Sequence, residues 1–74
     1  MRYDYSKLLG RIIEMFGTRA VFADKMCMSE HTLSRKLTNK SYWTQEEMQR
    51  ASELLDFPLK EIQVYFFTLE VQKA

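Results

Sequence analysis

The sequence predicts an all-α fold, with five short helices packed into one compact domain. Its 74 residues are 46% hydrophobic and 28% charged, a composition typical of a small globular domain and not of a disordered chain. Glycine and proline together occur only three times, at Gly10, Gly17 and Pro58, so the turns that a small β-barrel or sandwich requires are scarce. Apolar residues recur instead at helical spacing, and we expect a single domain over residues 1–74.

The first two helices are predicted at residues 6–16 and at about residues 18–26. Ser6 and Thr18 are candidate N-caps, and Gly17 favours the end of the first helix. The apolar positions at helical spacing are Leu8, Leu9, Ile12, Ile13 and Phe16 in the first helix and Phe22, Ala23 and Met26 in the second. This spacing predicts that each helix buries one face.

The third helix is predicted to follow Ser29, another candidate N-cap, and to cover residues 30–37. Leu33 and Leu37 are its only large apolar residues. Because the apolar stripe is so narrow, most of the surface of this helix should be exposed.

The fourth helix follows a predicted loop at residues 39–43. Thr44 and Glu47 have the spacing of a capping box, which is a strong signal for a helix start. The residues of this helix that should face the core are Met48, Ala51, Leu54 and Leu55.

The fifth helix is predicted to begin near Pro58, which suits the first turn of a helix. Beyond Tyr65 the alternation of Phe67, Leu69 and Val71 predicts an extended tail or a short strand instead of further helix. The predicted core collects the inward positions of all five helices: Leu9, Ile12, Phe16, Phe22, Ala23, Met26, Leu33, Leu37, Ala51, Leu54, Leu55, Ile62 and Phe66.

The composition also argues against several classes of protein. Cys27 is the only cysteine, so no intramolecular disulfide is expected and a reducing cytoplasm is the natural compartment. The longest uncharged stretch, residues 62–69, is far shorter than the roughly 18–20 apolar residues of a membrane span. Neither a nucleophile beside a base nor a phosphate-binding glycine loop nor a cluster of metal ligands is evident. We therefore expect no enzyme, cofactor, metal, small-molecule substrate or membrane partner.

Positive charge is concentrated in the middle of the chain. Residues 18–43 carry five Lys and Arg against two Asp and Glu, whereas residues 44–74 carry three against six. The middle third is therefore the basic part of a chain whose net charge is only +1.

The second and third helices have the pattern of a helix-turn-helix motif over about residues 18–38. In such a motif a few apolar anchors hold the second helix, here Leu33 and Leu37, while its polar outer face enters the major groove of DNA. The residues predicted to meet base edges are Glu30, His31, Thr32, Ser34 and Arg35. Those predicted to lie near phosphates are Arg19, Lys36, Asn39 and Lys40. Arg35 suits a guanine edge, although an arginine or histidine on an exposed helix face is often only solvated.

These segments resemble the Cro and CI repressor family of helix-turn-helix proteins over roughly residues 6–66. The resemblance rests on TRAVFADKM at residues 18–26 and SEHTLSRKL at residues 29–37. It implies five helices, binding to double-stranded operator DNA and, often, a homodimer. The chain is more specifically similar to the small Cro-like and modulator-of-repression proteins of temperate phages of Gram-positive bacteria. That similarity lies in YSKL at residues 5–8, LSRKL at 33–37, YFF at 65–67 and VQ at 71–72.

Two positions differ from the pattern of this family. Cys27 stands where the turn of the motif usually has glycine, so the position must tolerate a side chain or adopt a less extreme backbone angle. We expect Cys27 to be a packed, inert residue. Arg19 replaces a glutamine that commonly contacts the DNA backbone, and arginine keeps a phosphate contact feasible.

The resemblance implies two alternative functions for a protein in the cytoplasm of a bacterial host cell. The leading hypothesis is a phage or prophage transcriptional regulator of the lysis-lysogeny switch that binds operator DNA. The second is an antirepressor that binds the cognate CI-type repressor and alters its DNA occupancy. The low net charge makes this second function a serious alternative, because it gives only a weak field for attracting DNA.

Apolar residues near the loop and the tail are candidate contacts for a protein partner or a second copy of the chain. They are Tyr42, Trp43, Phe67, Leu69 and Val71. For the two loop aromatics, Tyr42 and Trp43, packing onto the core is the alternative to a partner contact.

Overall fold

The computed structural model describes residues 2–70, which form five α-helices. They are α1 (Ser6–Phe16), α2 (Arg19–Lys25), α3 (Glu30–Leu37), α4 (Gln45–Leu54) and α5 (Ile62–Phe66), with a 3₁₀ turn at Leu59–Glu61 directly before α5. The all-α prediction is confirmed, and α1 begins and ends where the apolar pattern predicts. None of the helices in this range has the length and apolar character that crossing a membrane requires.

Side-chain caps begin three helices as the sequence predicts. The hydroxyl oxygens of Thr18, Ser29 and Thr44 each accept a backbone N–H from the first turn of α2, α3 and α4. Glu47 completes the capping box of α4 by accepting the N–H of Thr44. These bonds satisfy N–H groups that a helix start would otherwise leave unpaired.

The start of α1 differs from the prediction, because Ser6 does not cap it. The Asp4 carboxylate instead accepts the backbone N–H of Ser6 at 2.9 Å. Hydrogen bonds from the side chain and the backbone of Ser6 hold the pKa of Asp4 below its ordinary value. Asp4, two positions before Ser6, therefore caps the start of α1 in place of Ser6.

Three helices end at a left-handed residue that is not glycine. Cys27, Asn39 and Asp56 follow α2, α3 and α4 with φ angles of 61°, 65° and 56°. After α2, the N–H of Met28 returns to the carbonyl of Ala23 at 3.0 Å, the pattern of a Schellman motif. Asparagine and aspartate tolerate this conformation, but a cysteine there is unusual.

The expectation of a packed Cys27 is wrong. Cys27 is exposed, because the turn between α2 and α3 lies at the protein surface. The backbone keeps the left-handed angle that glycine favours, and the position tolerates the side chain.

The core contains twelve buried apolar residues among those described: Tyr5, Leu8, Ile12, Phe22, Ala23, Met26, Leu33, Trp43, Ala51, Leu55, Phe57 and Phe66. Members of the predicted core that are only half-buried are Leu9, Phe16, Leu37, Leu54 and Ile62. In α1, Leu8 and not Leu9 faces inward. Tyr5, Trp43 and Phe57 lie outside the helices, where helical spacing gives no signal.

The two ends of the described chain pair with each other. Tyr3 and Leu69 form an isolated antiparallel bridge, flanked by two backbone hydrogen bonds of 2.6 and 3.1 Å. Beyond α5 the chain forms this single bridge at Leu69, whereas Phe67 has φ and ψ angles of −126° and 21° and is not extended. Val71 lies outside the described residues.

We expect Cys27→Gly to stabilise the protein. A left-handed backbone costs a residue with a Cβ about 1–2 kcal/mol, whereas glycine adopts it freely. The greater freedom of glycine in the unfolded chain offsets part of this gain, leaving about 0.5–1 kcal/mol. Thermal unfolding under reducing conditions should show a midpoint a few degrees higher.

Cys27→Ala is the matched control, because it removes the thiol and keeps the Cβ. Its midpoint should stay close to that of the wild type. Equal midpoints for the glycine and alanine variants would contradict the assignment of backbone strain to residue 27.

Candidate interaction surface

The outer face of α3 and the loop that follows it form the candidate interaction surface. We call it the α3 surface and define it by its exposed side chains, Glu30, His31, Arg35, Lys40 and Tyr42. From beneath, the fully buried Leu33 holds the helix against the core. The narrow apolar stripe therefore leaves a polar outer face, as the sequence predicts.

Two residues predicted on this face are only partly exposed, Thr32 and Ser34. The Thr32 N–H donates to Ser29 Oγ at 3.0 Å, and the Ser29 hydroxyl donates to Thr32 Oγ1 at 2.9 Å. Thr32 therefore helps to fasten the start of α3. The carbonyl of Ser34 accepts the Thr38 hydroxyl at 2.8 Å near the end of the helix.

Three of the predicted cationic contacts are exposed, namely Arg19, Arg35 and Lys40. Arg19 lies at the start of α2. Arg35 Nη2 donates to the carbonyl of Lys40 at 3.3 Å, so its guanidinium group lies across the turn that follows α3. These side chains carry the positive charge that is available to a partner in this region.

Lys36 does not lie on the α3 surface, and the expectation that it contacts phosphates is wrong. Its side chain is only 9% exposed. The ammonium Nζ donates to Glu47 Oε1 at 2.9 Å and to the Tyr42 carbonyl at 2.7 Å. Lys36 is buried because it follows Leu33 by three residues and therefore lies on the same, inward face of α3. A charge on that face needs an anion beside it.

Glu47 is this anion, and it belongs to the capping box of α4 as well. Burial by itself raises the pKa of its carboxyl group, but hydrogen bonds from Thr44 and Lys36 and attraction to the Lys36 charge outweigh that effect. The pKa of Glu47 therefore lies below its ordinary value. One carboxylate oxygen, Oε1, accepts both the Thr44 N–H and the Lys36 ammonium.

Asn39 is partly buried and its side chain contacts another part of the chain, while its phosphate contact stays a prediction. The Tyr3 N–H donates to Asn39 Oδ1 at 2.8 Å, and Asn39 Nδ2 donates to the Tyr3 carbonyl at 2.9 Å. The side-chain amide of Asn39 thus bonds to the backbone of Tyr3 as the backbone of a neighbouring strand would. Leu69 forms the β-bridge to the same residue. Because both amide groups have protein partners, Asn39 is a structural residue.

The two loop aromatics differ in their environment. Trp43 is 9% exposed and packs edge-on against Phe66, with 5.0 Å between ring centres. Its indole nitrogen is buried without a hydrogen-bond partner among residues 2–70. Trp43 therefore packs in the core, which is the alternative that the sequence left open for this loop aromatic. Tyr42, in contrast, is 90% exposed.

A pocket of about 150 Å³ opens beside Tyr42. Its lining is mainly aromatic and consists of Tyr3, Tyr5, Tyr42, Trp43, Met48, Phe66 and Phe67. Phe67 and Leu69, two of the predicted partner contacts, are 45% and 46% exposed. Exposed aromatic area of this kind is typical of surfaces that bind proteins.

The α3 surface supplies charge, hydrogen-bonding groups and apolar area, which serve recognition. Among residues 2–70, no three His, Cys, Asp or Glu side chains gather in an arrangement that could hold a metal ion. Sequence reasoning missed the ion pair between Lys36 and Glu47, although it predicted the capping-box role of Glu47. The spacing of Lys36 from Leu33 was the available signal.

Comparison with known proteins relates the chain to a protein family and to a solved structure. Residues 1–69 match the model of a family described as "Protein of unknown function (DUF739)". The chain is also similar to the solution structure of the modulator of repression (MOR) of the temperate bacteriophage TP901-1 from Lactococcus lactis. The TM-score is 0.80 and the sequence identity 43%, over 97% of this chain and 97% of that chain. No curated protein matches this chain.

We expect acid to destabilise the wild type more than Glu47→Gln. The pKa of Glu47 is lowered by folding, so its carboxylate stabilises the protein above the ordinary glutamate pKa of about 4.3. This contribution disappears as the pH falls through the lower, folded-state pKa. Thermal midpoints measured from neutral pH down to about pH 3 should therefore converge for the two proteins.

Glu46→Gln is the control, because Glu46 is an exposed carboxylate in the same first turn of α4. The thermal midpoint of Glu46→Gln should change with pH in the same way as that of the wild type. Parallel curves for Glu47→Gln as well would contradict the proposed coupling of Glu47 ionisation to folding.

Asn39→Gly should destabilise the protein, although glycine suits the φ angle of 65° at this position. The variant removes both hydrogen bonds to Tyr3, and we expect a loss of about 1–3 kcal/mol. Asp56→Gly is the matched control at the left-handed residue after α4. Chemical denaturation should show no loss for that control. Equal stability of Asn39→Gly and wild type would exclude the structural role of the amide.

Proposed function

Because the chain belongs to the DUF739 family and is closely similar to a phage modulator of repression, we propose that it is an antirepressor of a phage or prophage. It binds a CI-type repressor protein and alters the occupancy of operator DNA by that repressor. It acts in the cytoplasm of the bacterial host by binding alone, without catalysis or a cofactor. The observation that carries the proposal is the similarity to the modulator of repression over nearly the full length of both chains.

We assign repressor binding to the α3 surface and the aromatic pocket beside it. Tyrosine and arginine are enriched among the residues that dominate protein interfaces, and this surface exposes both, as Tyr42 and Arg35. The pocket gives an apolar side chain of the partner a place to bury itself. The proposed contacts are Glu30, His31, Ser34, Arg35, Lys40 and Tyr42, with Phe67 and Leu69 at the edge.

The distribution of charge supports a protein as the principal partner. The net charge is +1, and Glu47 neutralises Lys36 inside the protein. Nonspecific affinity for DNA rises with the number of phosphates that cations neutralise. A surface with few free cations and an exposed aromatic side chain is better suited to a protein interface.

Operator DNA is the second candidate partner, and it requires α2 and α3 to act as a helix-turn-helix over about residues 18–38. The exposed Arg19, Arg35 and Lys40 favour this function. Binding to DNA and binding to the repressor use overlapping residues in this proposal, so only a direct comparison of the two ligands separates them.

Mixing the protein with the DNA-binding domain of its cognate CI-type repressor should give a heteromeric complex in size-exclusion chromatography with light scattering. Tyr42→Ala should weaken binding by about 2 kcal/mol in titration calorimetry, the size of an interface hot spot. Its thermal midpoint should not change, because the Tyr42 ring is 90% exposed.

Leu59→Ala is the control, because Leu59 is also an exposed apolar residue, at 58%, but lies outside the proposed surface. It should bind the repressor like the wild type. Separate elution of the two proteins, together with a gel shift of operator DNA by this chain alone, would replace the antirepressor with the DNA-binding regulator. Light scattering of the protein alone tests the homodimer that the sequence resemblance implies.

A further inference from the structure

The buried ammonium of Lys36 joins three parts of the chain at one point. We propose that Lys36 and Glu47 are positioning residues for the partner-binding surface, which hold the loop so that Tyr42 is presented to the repressor in a fixed place. This inference rests on the proposed function, because it names the groups that prepare the same surface for its partner. Neither residue is proposed to touch the repressor.

The geometry of the ammonium supports this role. Lys36 Nζ lies 2.7 Å from the Tyr42 carbonyl oxygen and 2.9 Å from Glu47 Oε1. It also lies 5.9 Å from the centre of the Trp43 ring. One group thus connects the last turn of α3, the loop and the first turn of α4. The loop cannot move away from α3 without breaking the contact between Lys36 and Tyr42.

The loop is fastened at its other end by independent bonds. The Asn39 amide pairs with the backbone of Tyr3, and the N–H groups of Lys40 and Ser41 donate to the Arg35 carbonyl at 2.9 and 3.2 Å. Tyr42 follows directly, with its side chain 90% exposed. Its ring is so exposed that its own packing does little to hold it. The position of Tyr42 therefore depends on its backbone, which is held by the bond at its carbonyl and by the buried Trp43 that follows.

Holding the loop in advance favours binding, because an ordered loop loses less conformational freedom when the partner arrives. The charges of Lys36 and Glu47 neutralise each other below the surface, with side-chain exposures of 9% and 25%. Lys36 and Glu47 should therefore affect a partner through the position of Tyr42 and not through their charges. This effect should vanish when the Tyr42 ring is absent.

Stability and positioning can be separated by experiment. Replacing both members of a buried ion pair with neutral residues of similar size often leaves stability unchanged. Lys36→Met with Glu47→Gln removes the donor to the Tyr42 carbonyl and both charges. Glutamine at position 47 keeps an oxygen that accepts the Thr44 N–H, so the capping box of α4 survives.

The test is a double-mutant cycle between this pair and Tyr42, measured as affinity for the DNA-binding domain of the CI-type repressor. The combined variant K36M/E47Q should bind about fivefold or more weakly than the wild type, within the range of coupling between residues in contact. In the Tyr42→Ala background the same pair of changes should have no further effect. Thermal unfolding confirms that each variant is folded at the temperature of the titration.

The matched control is R11M/E14Q on α1. Arg11 also donates to a backbone carbonyl, that of Leu55, at 2.8 Å, and pairs with Glu14. It resembles the Lys36 pair chemically but does not contact the loop at residues 39–43. Its affinity for the repressor should equal that of the wild type, even where its stability is reduced.

Three outcomes decide between the hypotheses. Failure of the wild type to bind the repressor overturns the proposed function itself. Binding by the wild type with equal affinity for K36M/E47Q overturns only the positioning role. An equal loss of affinity in the presence and absence of the Tyr42 ring also overturns it, because the effect would then be structural. If K36M/E47Q does not fold, Lys36→Met alone removes the donor to the Tyr42 carbonyl and leaves the more exposed Glu47 bonded to Thr44. It should give the same loss, again absent in the Tyr42→Ala background.

Discussion

Much of the α3 surface depends on the burial of one ammonium group. A lysine charge inside a protein needs an anion and an acceptor beside it, and Lys36 finds them in Glu47 and the Tyr42 carbonyl. The contact sets how closely the start of α4 approaches the end of α3, and hence the path of the loop between them. Along that path Trp43 lies in the core while Tyr42 is exposed. The loop that this buried charge contacts therefore exposes one aromatic side chain and buries the next.

A second polar contact connects this region to the ends of the chain. Asn39 occupies the left-handed turn after α3, and from there its amide reaches the backbone of Tyr3. Tyr3 in turn bridges Leu69 beyond α5. The end of α3 therefore organises residues from both ends of the sequence, although it has few apolar side chains of its own. Polar groups take this role because their hydrogen bonds require one geometry, whereas apolar packing tolerates several.

The helices could be predicted from the sequence because their signals are local. The caps at Thr18, Ser29 and Thr44 act on N–H groups within the same turn, and apolar spacing depends on residues three or four positions apart. The role of Asn39 could not be predicted in this way, since its partner lies 36 residues away in the sequence. Lys36 is an intermediate case. Its spacing from Leu33 places it on the buried face, but its anion becomes evident only when the fold brings Glu47, in the first turn of α4, to the end of α3.

The inward position of Lys36 also bears on the choice between DNA and protein as the partner. Each cation that neutralises a phosphate adds to DNA affinity. Because Lys36 is paired with Glu47 inside the protein, its positive charge does not contribute to the attraction of DNA. The same ion pair orders the loop that carries Tyr42, and order before binding is of most use to an interface that relies on a few well-placed side chains. The ion pair of Lys36 with Glu47 thus weakens the electrostatic attraction of DNA and favours the binding of a protein through an ordered loop. This is the physical reason to favour a repressor protein as the principal ligand of the α3 surface.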